Sequence, residues 1–183
     1  MKIEPIIMDW ISQESDINYL MLLIRQMVYE RSQYKIGYKA IELGVRTGNS
    51  TASILAGLVR SGTGGRLSSC DIDPCDGAIA ALRPLWGDIW KFSQMDSIAF
   101  SYLLENQNPD LVFIDTDHTL ETTRQELKVW SDLLVPGGRI LLHDTRSRPE
   151  GVGQAIKEFV KANPSWQYYD IDVCCGLGVL DKP

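Results

Sequence analysis

The chain has 183 residues, the usual size of one domain, and its formal net charge of −6 argues against broad binding to nucleic acid or to anionic membranes. Apolar residues make up 44% and charged residues 23%, as in soluble globular proteins, and no apolar run is as long as a membrane span. The first ten residues, MKIEPIIMDW, carry acids and lack a long apolar segment, so we expect no signal peptide and a cytoplasmic location.

Helical and extended patterns alternate along the chain. Apolar residues at helical spacing predict helices, and short apolar runs bounded by glycine, proline or polar residues predict strands. The helices are predicted over residues 14–31, 49–60, 76–86, 97–105, 121–134 and 153–162. The strands are predicted over residues 38–43, 66–72, 89–94, 111–114, 139–142, 166–173 and 176–180.

This alternation predicts an α/β fold with a Rossmann-like, doubly wound, mostly parallel seven-stranded sheet and helices on both faces. The last two strands are joined only by a short turn at Cys174 and Cys175. Because a parallel crossover needs a dozen or more residues, the last strand is expected to be antiparallel. We expect one domain over residues 1–183, with a helical extension over 1–37 and a core over 38–183.

The cysteines indicate a reduced protein. The four are Cys70, Cys75, Cys174 and Cys175, and the chain has only two histidines, so no zinc-finger spacing is present. We expect buried or reduced thiols in preference to a metal or redox role.

Polar residues follow every predicted parallel strand. In open α/β sheets, ligands bind outside the carboxyl ends of the strands, so these residues are expected to meet at one edge. In chain order they are Glu42, Gly44, Gly48 and Ser50, then Asp71 and Asp73, then Asp96 and Ser97, then Asp115, Asp117 and His118, and finally His143, Asp144 and Thr145.

The stretch ELGVRTGNSTASIL, residues 42–55, joins the first of these strands to its helix. It lacks the lysine of a phosphate-binding loop, and Gly44 and Gly48 are four residues apart, which does not match the dinucleotide-binding motif. Two interpretations stay open: a tight turn, or a loop in which a ligand lies against bare backbone.

Asp71 favours the ligand interpretation. An acid at the end of the second strand can accept both hydroxyls of a ribose. The pair Asp71 and Asp73 would alternatively cap the turn before Pro74. A nucleoside without a pyrophosphate, and a cationic sulfonium nucleoside above all, suits an acid-lined pocket.

Five stretches together carry a resemblance to a known family: AIELGVRTGNSTASIL, LSSCDIDP, MDSIAF, PDLVFIDTDHTLETTRQELKVWSDLLVPGGRILLHDT and GLGVL. They resemble class I S-adenosylmethionine-dependent methyltransferases, in particular the small O-methyltransferases of the macrocin and catechol type and bacterial enzymes grouped near cephalosporin hydroxylase. The resemblance covers residues 38–180 and implies a seven-stranded sheet with the last strand antiparallel. It also implies that residues 38–183 bind S-adenosylmethionine.

The resemblance assigns cofactor contacts residue by residue. The glycine loop would face the methionine part, Asp71 the ribose, and Ile72 the adenine, while Glu42 would support the loop. The implied cofactor-binding residues are Gly44, Val45, Arg46, Gly48, Ser50, Asp71, Ile72, Asp96, Ser97 and Asp115.

The resemblance also implies a divalent cation, typically magnesium, held by Asp115 and Asp144. Two carboxylates with waters and substrate oxygens suit such an ion. In the catechol enzymes an asparagine follows the second acid, and here Thr145, a poorer ligand, stands in its place. His143 would be a substitute ligand or a residue that packs or bonds to backbone.

His118 is the candidate catalytic base. It stands three residues after Asp115, where the catechol enzymes carry a lysine, and a histidine can take a proton near neutral pH. The alternative is that His118 caps the helix that begins near Thr119.

The expected activity is methyl transfer from S-adenosylmethionine to a hydroxyl of a small sugar, phenolic or natural-product acceptor. A nucleic-acid methyltransferase is disfavoured by the acidic charge and by IDTDH in place of an Asn/Asp-Pro-Pro-aromatic motif. A degenerate cofactor-binding partner protein is the alternative from another class. The short loop over residues 145–152 implies either an open site or a site roofed by a second subunit of a homo-oligomer.

Overall fold

The computed structural model describes residues 15–104 and 107–183. Within these residues, seven strands form one sheet in the order β3-β2-β1-β4-β5-β7-β6. The strands are β1 (Lys39–Leu43), β2 (Arg66–Asp71), β3 (Trp90–Gln94), β4 (Leu111–Ile114), β5 (Arg139–His143), β6 (Gln167–Ile171) and β7 (Leu177–Asp181). The helices are α1 (Ser15–Ser32), α2 (Asn49–Ser61), α3 (Asp76–Trp86), α4 (Ser97–Leu103), α5 (Leu120–Leu133) and α6 (Gln154–Ala162), with a π-helical turn over Pro149–Gly153.

The pairing of the strands confirms the predicted sheet. The first five strands pair in parallel, with β1 between β2 and β4. Strand β7 is antiparallel to both of its neighbours, β5 and β6. The order of the strands reverses at β1, which is where ligands bind in sheets of this kind.

Two apolar clusters lie on the two faces of the sheet. One contains buried residues of α1, α2 and α3, including Ile24, Leu55 and Leu82. The other contains buried residues of α4, α5 and α6, including Phe100 and Trp130. Helices therefore cover both faces, as the alternating pattern predicted, because strands buried on two sides must be apolar throughout.

Helix α1 packs closely on α2. A Cβ atom at Gly57 would lie 2.7 Å from the carbonyl oxygen of Arg25, so glycine permits this approach. Residues of the predicted N-terminal extension thus belong to the same apolar cluster as the first part of the sheet.

Most predicted element boundaries agree with the structure to within two residues. Strand β4 and helix α3 have the predicted limits. Residues 1–14, which include the first predicted helical residue, and residues 105–106, at the end of the fourth predicted helix, lie outside the described residues. The predicted loop over 145–152 was only partly irregular, because Pro149 begins a π-helical turn that leads into α6. Along the described chain, no helix is both long and apolar enough to cross a bilayer.

Candidate active site

The carboxyl ends of β1, β2, β4 and β5 bring the predicted polar residues to one edge of the sheet. The glycine loop follows β1, and Asp71 is the last residue of β2. Asp115 follows β4, and His143 ends β5. The sequence interpretation therefore placed these groups correctly along the sheet, and their contacts decide what each can do.

Gly44 lets the glycine loop press against the end of β4. Its φ angle is +92°, and a Cβ atom there would lie 2.0 Å from the backbone oxygen of Asp115. Gly48 has a φ angle of +83° and is the N-cap of α2. The glycines thus meet requirements of the turn itself, since few other residues adopt positive φ without strain.

The carboxylate of Asp71 holds the glycine loop. Its Oδ2 atom accepts the backbone N–H groups of Val45 at 2.7 Å and Arg46 at 2.9 Å. Its Oδ1 atom accepts the N–H of Asp73 at 3.0 Å. Partial burial raises the pKa of Asp71, but these three hydrogen bonds outweigh burial and keep the pKa below its usual value. The turn interpretation of Asp71 is confirmed, and the thiol of Cys75 forms a further hydrogen bond to this carboxylate.

Glu42 lies beneath the loop, fully buried among hydroxyl groups. It accepts hydrogen bonds from Ser50 at 2.6 Å, Thr51 at 2.8 Å and Ser69 at 2.7 Å. Burial raises its pKa to about 7, even though the three hydroxyls act in the opposite direction. Glu42 therefore supports the start of α2, as expected, and the Ser50 hydroxyl faces Glu42.

The residues predicted for the adenine lie around the end of β3. Ile72 is 71% exposed and so is accessible to a flat ring. Asp96 is the N-cap of α4 and accepts the N–H groups of Ile98 and Ala99. Ser97 is buried and donates to Glu126 at 2.6 Å. Of these three side chains, Ile72 alone is exposed and takes part in no capping or buried hydrogen bond.

Glu126 was missed by the sequence interpretation. It lies on α5, is fully buried, and accepts hydrogen bonds from Ser97 and from Thr116 at 3.1 Å. Burial raises its pKa to about 7. Its helical spacing gave no signal, because a lone acid on an amphipathic helix is usually solvated. Here it joins the β4 end, through Thr116, to the start of α4.

Four titratable side chains converge at the ends of β4 and β5: Asp115, His118, His143 and Asp144. One ligand atom from each lies within 4.8 Å of the others. The Nε2 atom of His118 lies 2.9 Å from Oδ1 of Asp115 and 2.9 Å from Oδ2 of Asp144. The Nδ1 atom of His143 lies 3.1 Å from Oδ1 of Asp115 and 3.6 Å from Oδ2 of Asp144.

The acids and imidazoles in this cluster stabilise each other's charged forms. Burial raises the pKa of Asp115, but hydrogen bonds from His118 and His143 outweigh it and bring the pKa to about 2. The hydrogen bond to Asp115 raises the pKa of His118 above its ordinary value. Burial lowers the pKa of His143, but Asp115 and Asp144 more than compensate and raise it.

Thr145 does not belong to the cluster. Its hydroxyl donates to Asp170 of β6 at 2.5 Å, and the residue is buried. Thr145 therefore faces the antiparallel part of the sheet, and His143 is the side chain that accompanies the two acids.

The backbone at His118 and at Asp144 has an uncommon conformation. His118 and Asp144 have φ angles of +62° and +61°, which non-glycine residues adopt rarely and mostly at functional sites. Thr119, and not His118, is the N-cap of α5, so the capping alternative for His118 is wrong. Gly151 in the π-helical turn packs on this bend, since a Cβ there would lie 2.0 Å from the His118 carbonyl oxygen. No motif or spacing in the sequence singled out Gly151.

Solved structures share this fold. An S-adenosylhomocysteine-bound methyltransferase from Podospora anserina is 17% identical, covers 100% of this chain and 88% of its own, and superposes with a TM-score of 0.76. An O-methyltransferase from Bacillus cereus, solved with S-adenosylhomocysteine, is 18% identical over 90% of this chain and 81% of its own, with a TM-score of 0.75. At such identities the likeness establishes the fold alone. No curated protein matches the chain.

The family described as "Methyltransferase domain" matches residues 41–145, from within β1 to the residue after Asp144. This match spans more than half of the chain and contains the glycine loop, Asp71 and all four members of the acid–histidine cluster. The chain therefore belongs to the methyltransferase-domain family and has the class I methyltransferase fold.

Proposed function

We propose that this protein transfers a methyl group from S-adenosylmethionine to a hydroxyl of a small molecule. One observation carries the proposal: Asp71 at the end of β2 and the acid–histidine cluster at the ends of β4 and β5 lie on the same sheet edge, on either side of the glycine loop that follows β1. The first suits a nucleoside, and the second suits deprotonation of an acceptor beside it.

The cofactor half is built on β1 and β2. The carboxylate of Asp71 is ionised and fixed by the loop amides at the end of β2, the position at which an acid would accept ribose hydroxyls. The exposed side chain of Ile72 would pack on the adenine. An acid-lined edge would favour the positively charged sulfonium over an anionic dinucleotide. That S-adenosylhomocysteine is bound by the Podospora and Bacillus proteins of this fold supports the assignment.

The acceptor half is built on β4 and β5. Since Nε2–H of His118 donates to Asp115, Nδ1 of this ring would take the proton from the acceptor hydroxyl, whose oxygen then attacks the methyl group in line. Asp115 would orient the imidazole and stabilise its charged form. A divalent cation bound by Asp115 and Asp144 would supply Lewis-acid polarisation of that hydroxyl. The net charge of −6 favours a small acceptor over nucleic acid.

Calorimetric titration with S-adenosylmethionine and S-adenosylhomocysteine tests the cofactor half. We expect Asp71→Ala to weaken binding by roughly 10- to 100-fold, the loss of hydrogen bonds to a charged group. Asp73→Ala is the matched control, because the exposed neighbouring carboxylate accepts nothing from the glycine loop. Absence of binding to the wild type would exclude the proposed cofactor.

The acceptor class is tested by screening hydroxylated sugars and phenols for cofactor-dependent methylation. Detection of a methyl ether in the product supports hydroxyl transfer. Tight cofactor binding with no turnover on any acceptor would instead favour a cofactor-binding partner protein.

A further inference from the structure

The donor atoms of the acid–histidine cluster do not match the ion that the family resemblance implies. Magnesium takes oxygen ligands in near-ideal octahedral geometry. Here the two carboxylates of Asp115 and Asp144 are accompanied by imidazole nitrogens, and the threonine that follows Asp144 is bonded to Asp170 instead. Imidazole suits ions such as iron, nickel and zinc.

We propose that Asp115, Asp144 and His143 bind a first-row transition-metal ion, in the series from manganese to zinc, in preference to magnesium. The inference rests on the proposed function only for the role of the ion in catalysis, since metal binding itself requires neither cofactor nor acceptor.

The spacing of the three donor atoms fits one small ion. Neighbouring ligands around an ion are roughly 2.8–3.6 Å apart, from octahedral to tetrahedral geometry, when each lies roughly 2.0–2.2 Å from it. Nδ1 of His143 lies 3.1 Å from Oδ1 of Asp115 and 3.6 Å from Oδ2 of Asp144. Small side-chain rotations would therefore bring the three atoms into a common coordination sphere.

His143 is held as a metal-binding histidine is held. Its Nε2 atom lies 3.0 Å from the backbone oxygen of Cys174, and since a carbonyl only accepts, this nitrogen carries the proton. Metal-binding histidines usually donate their second N–H to such a group. When the ring is neutral, Nδ1 is therefore the nitrogen without a proton, and a cation would take the place of that proton between Nδ1 and the two carboxylate oxygens.

Asp144 is oriented in the same manner. Its Oδ1 atom accepts the hydroxyl of Ser147, which leaves Oδ2 directed towards the histidines. Ligating carboxylates are commonly fixed by hydrogen bonds of this kind.

His118 differs from His143 in a way that separates their roles. Among the described residues, only its Nε2 atom has partners, and both are acids of the cluster. A ring held at one nitrogen can turn away from the ion, whereas a ring held at both cannot. We therefore assign His143 as the ligand and leave His118 as the proton acceptor.

Metal titration of the tag-free, chelator-treated protein tests this inference, because the chain contains only two histidines and both lie in the cluster. We expect Mn²⁺ to bind at least about tenfold more tightly than Mg²⁺, measured by calorimetry and by loss of the free Mn²⁺ paramagnetic resonance signal. Manganese is the probe of choice because it has little preference for the cysteine thiolates.

Three variants test which side chain causes the preference for Mn²⁺ over Mg²⁺. His143→Asn replaces the ligating nitrogen with an oxygen donor at a similar position, so the Mn²⁺ over Mg²⁺ preference should fall to near unity. His118→Asn should keep the preference within about threefold of the wild type, the scatter allowed for a lost neighbouring contact. Asp117→Asn is the matched control, since this exposed acid accepts hydrogen bonds from Thr119 and Thr122 at the start of α5 and lies outside the cluster.

A measurement on the wild type covers the case in which His143→Asn fails to fold. In protein labelled with ¹⁵N-histidine, Zn²⁺ should shift the Nδ1 signal of one ring while its Nε2–H signal persists, and Mg²⁺ should leave both rings unchanged. Equal affinity for Mn²⁺ and Mg²⁺, binding of neither ion, an unchanged preference in His143→Asn or an abolished one in His118→Asn would each overturn the assignment.

Cofactor titration of the same samples keeps the two proposals apart. Binding of S-adenosylmethionine without a metal preference rejects only the metal inference. A metal preference without cofactor binding rejects only the proposed function.

Discussion

Oδ2 of Asp71 accepts the backbone N–H of Val45 at 2.7 Å, so the end of β2 fixes the shape of the loop that follows β1. One carboxylate thus serves the loop and faces the proposed nucleoside site. This double role means that a change at Asp71 alters stability as well as affinity.

Asp71→Asn should lower the free energy of unfolding at pH 7 by roughly 1–2 kcal/mol, since the hydrogen bonds to a charged acceptor weaken. The folded pKa of Asp71 lies below its ordinary value of 3.8, so its stabilisation is present above that pH and is lost as the pH falls. Urea unfolding at pH 7 and pH 3 measures the difference. A variant as stable as the wild type at pH 7 would contradict the role of Asp71 in the loop, with Asp73→Asn as the control.

The stabilisation by Glu42 should depend on pH in the opposite direction to that by Asp71. Burial raises its folded pKa to about 7 from an ordinary value of 4.5, so its stabilising effect is full below pH 4.5 and is lost as the pH rises through 7. Glu42→Gln removes this titration and keeps a group that the three hydroxyls can meet. Relative to the wild type, the variant should gain stability from pH 5 to pH 8, by about 3 kcal/mol at most.

Denaturant unfolding of both proteins at four pH values between 5 and 8 checks the Glu42 prediction. Parallel stability curves for the variant and the wild type would show that the carboxyl does not hold its proton. The second buried acid, Glu126, is retained in both proteins and cancels in the comparison.

Gly44→Ala should lower the free energy of unfolding by more than the cost of placing alanine at a positive φ angle. Its Cβ would lie 2.0 Å from the backbone oxygen of Asp115, so β1 and β4 would have to separate. Gly62→Ala is the matched control, with a φ angle of +68° and nothing within 4 Å of its Cβ, and should cost about 1–2 kcal/mol. Equal losses of unfolding free energy in the two variants would show that the loop tolerates the side chain.

His118→Asn should lower turnover by about 10²- to 10⁴-fold, the range for loss of a general base, and leave S-adenosylmethionine affinity nearly unchanged. A base acts in its neutral form, and the pKa of His118 is raised above 6.5, so turnover should rise as the pH increases through that raised pKa. The rise should be absent in His118→Asn. Steady-state rates from pH 6 to pH 9 check both statements, and an unchanged rate in the variant would remove His118 from this role.

The sequence was sufficient for the sheet because its strands are short apolar runs with clear ends. LVFI is buried at all four positions and forms β4 with the predicted limits. The polar residue after each run locates the site edge, since all parallel strands end on the same side. This much depends only on the local pattern.

The pattern could not show which groups meet across that edge. The hydrogen bond from Thr145 to Asp170 depends on β7 lying between β5 and β6. The burial of Glu126 depends on how α5 packs beside α4. The contacts of Gly44 with Asp115 and of Gly151 with His118 also join residues distant in sequence. Such contacts are set by strand register and helix packing, which one sequence does not specify.

Among the described strands, β4 is the one that pairs with both β1 and β5; the glycine loop of the cofactor half follows β1, and His143 of the acceptor half ends β5. The distance between a methyl donor on one side and an acceptor on the other is therefore set by a strand of four residues. Substitution of buried Phe113, the β4 residue that pairs in register with Glu42 of β1, would change that distance. Such a substitution would change the turnover rate steeply and leave the affinities for cofactor and metal constant. The turnover rate would therefore be the quantity that is sensitive to how β4 packs beneath the site.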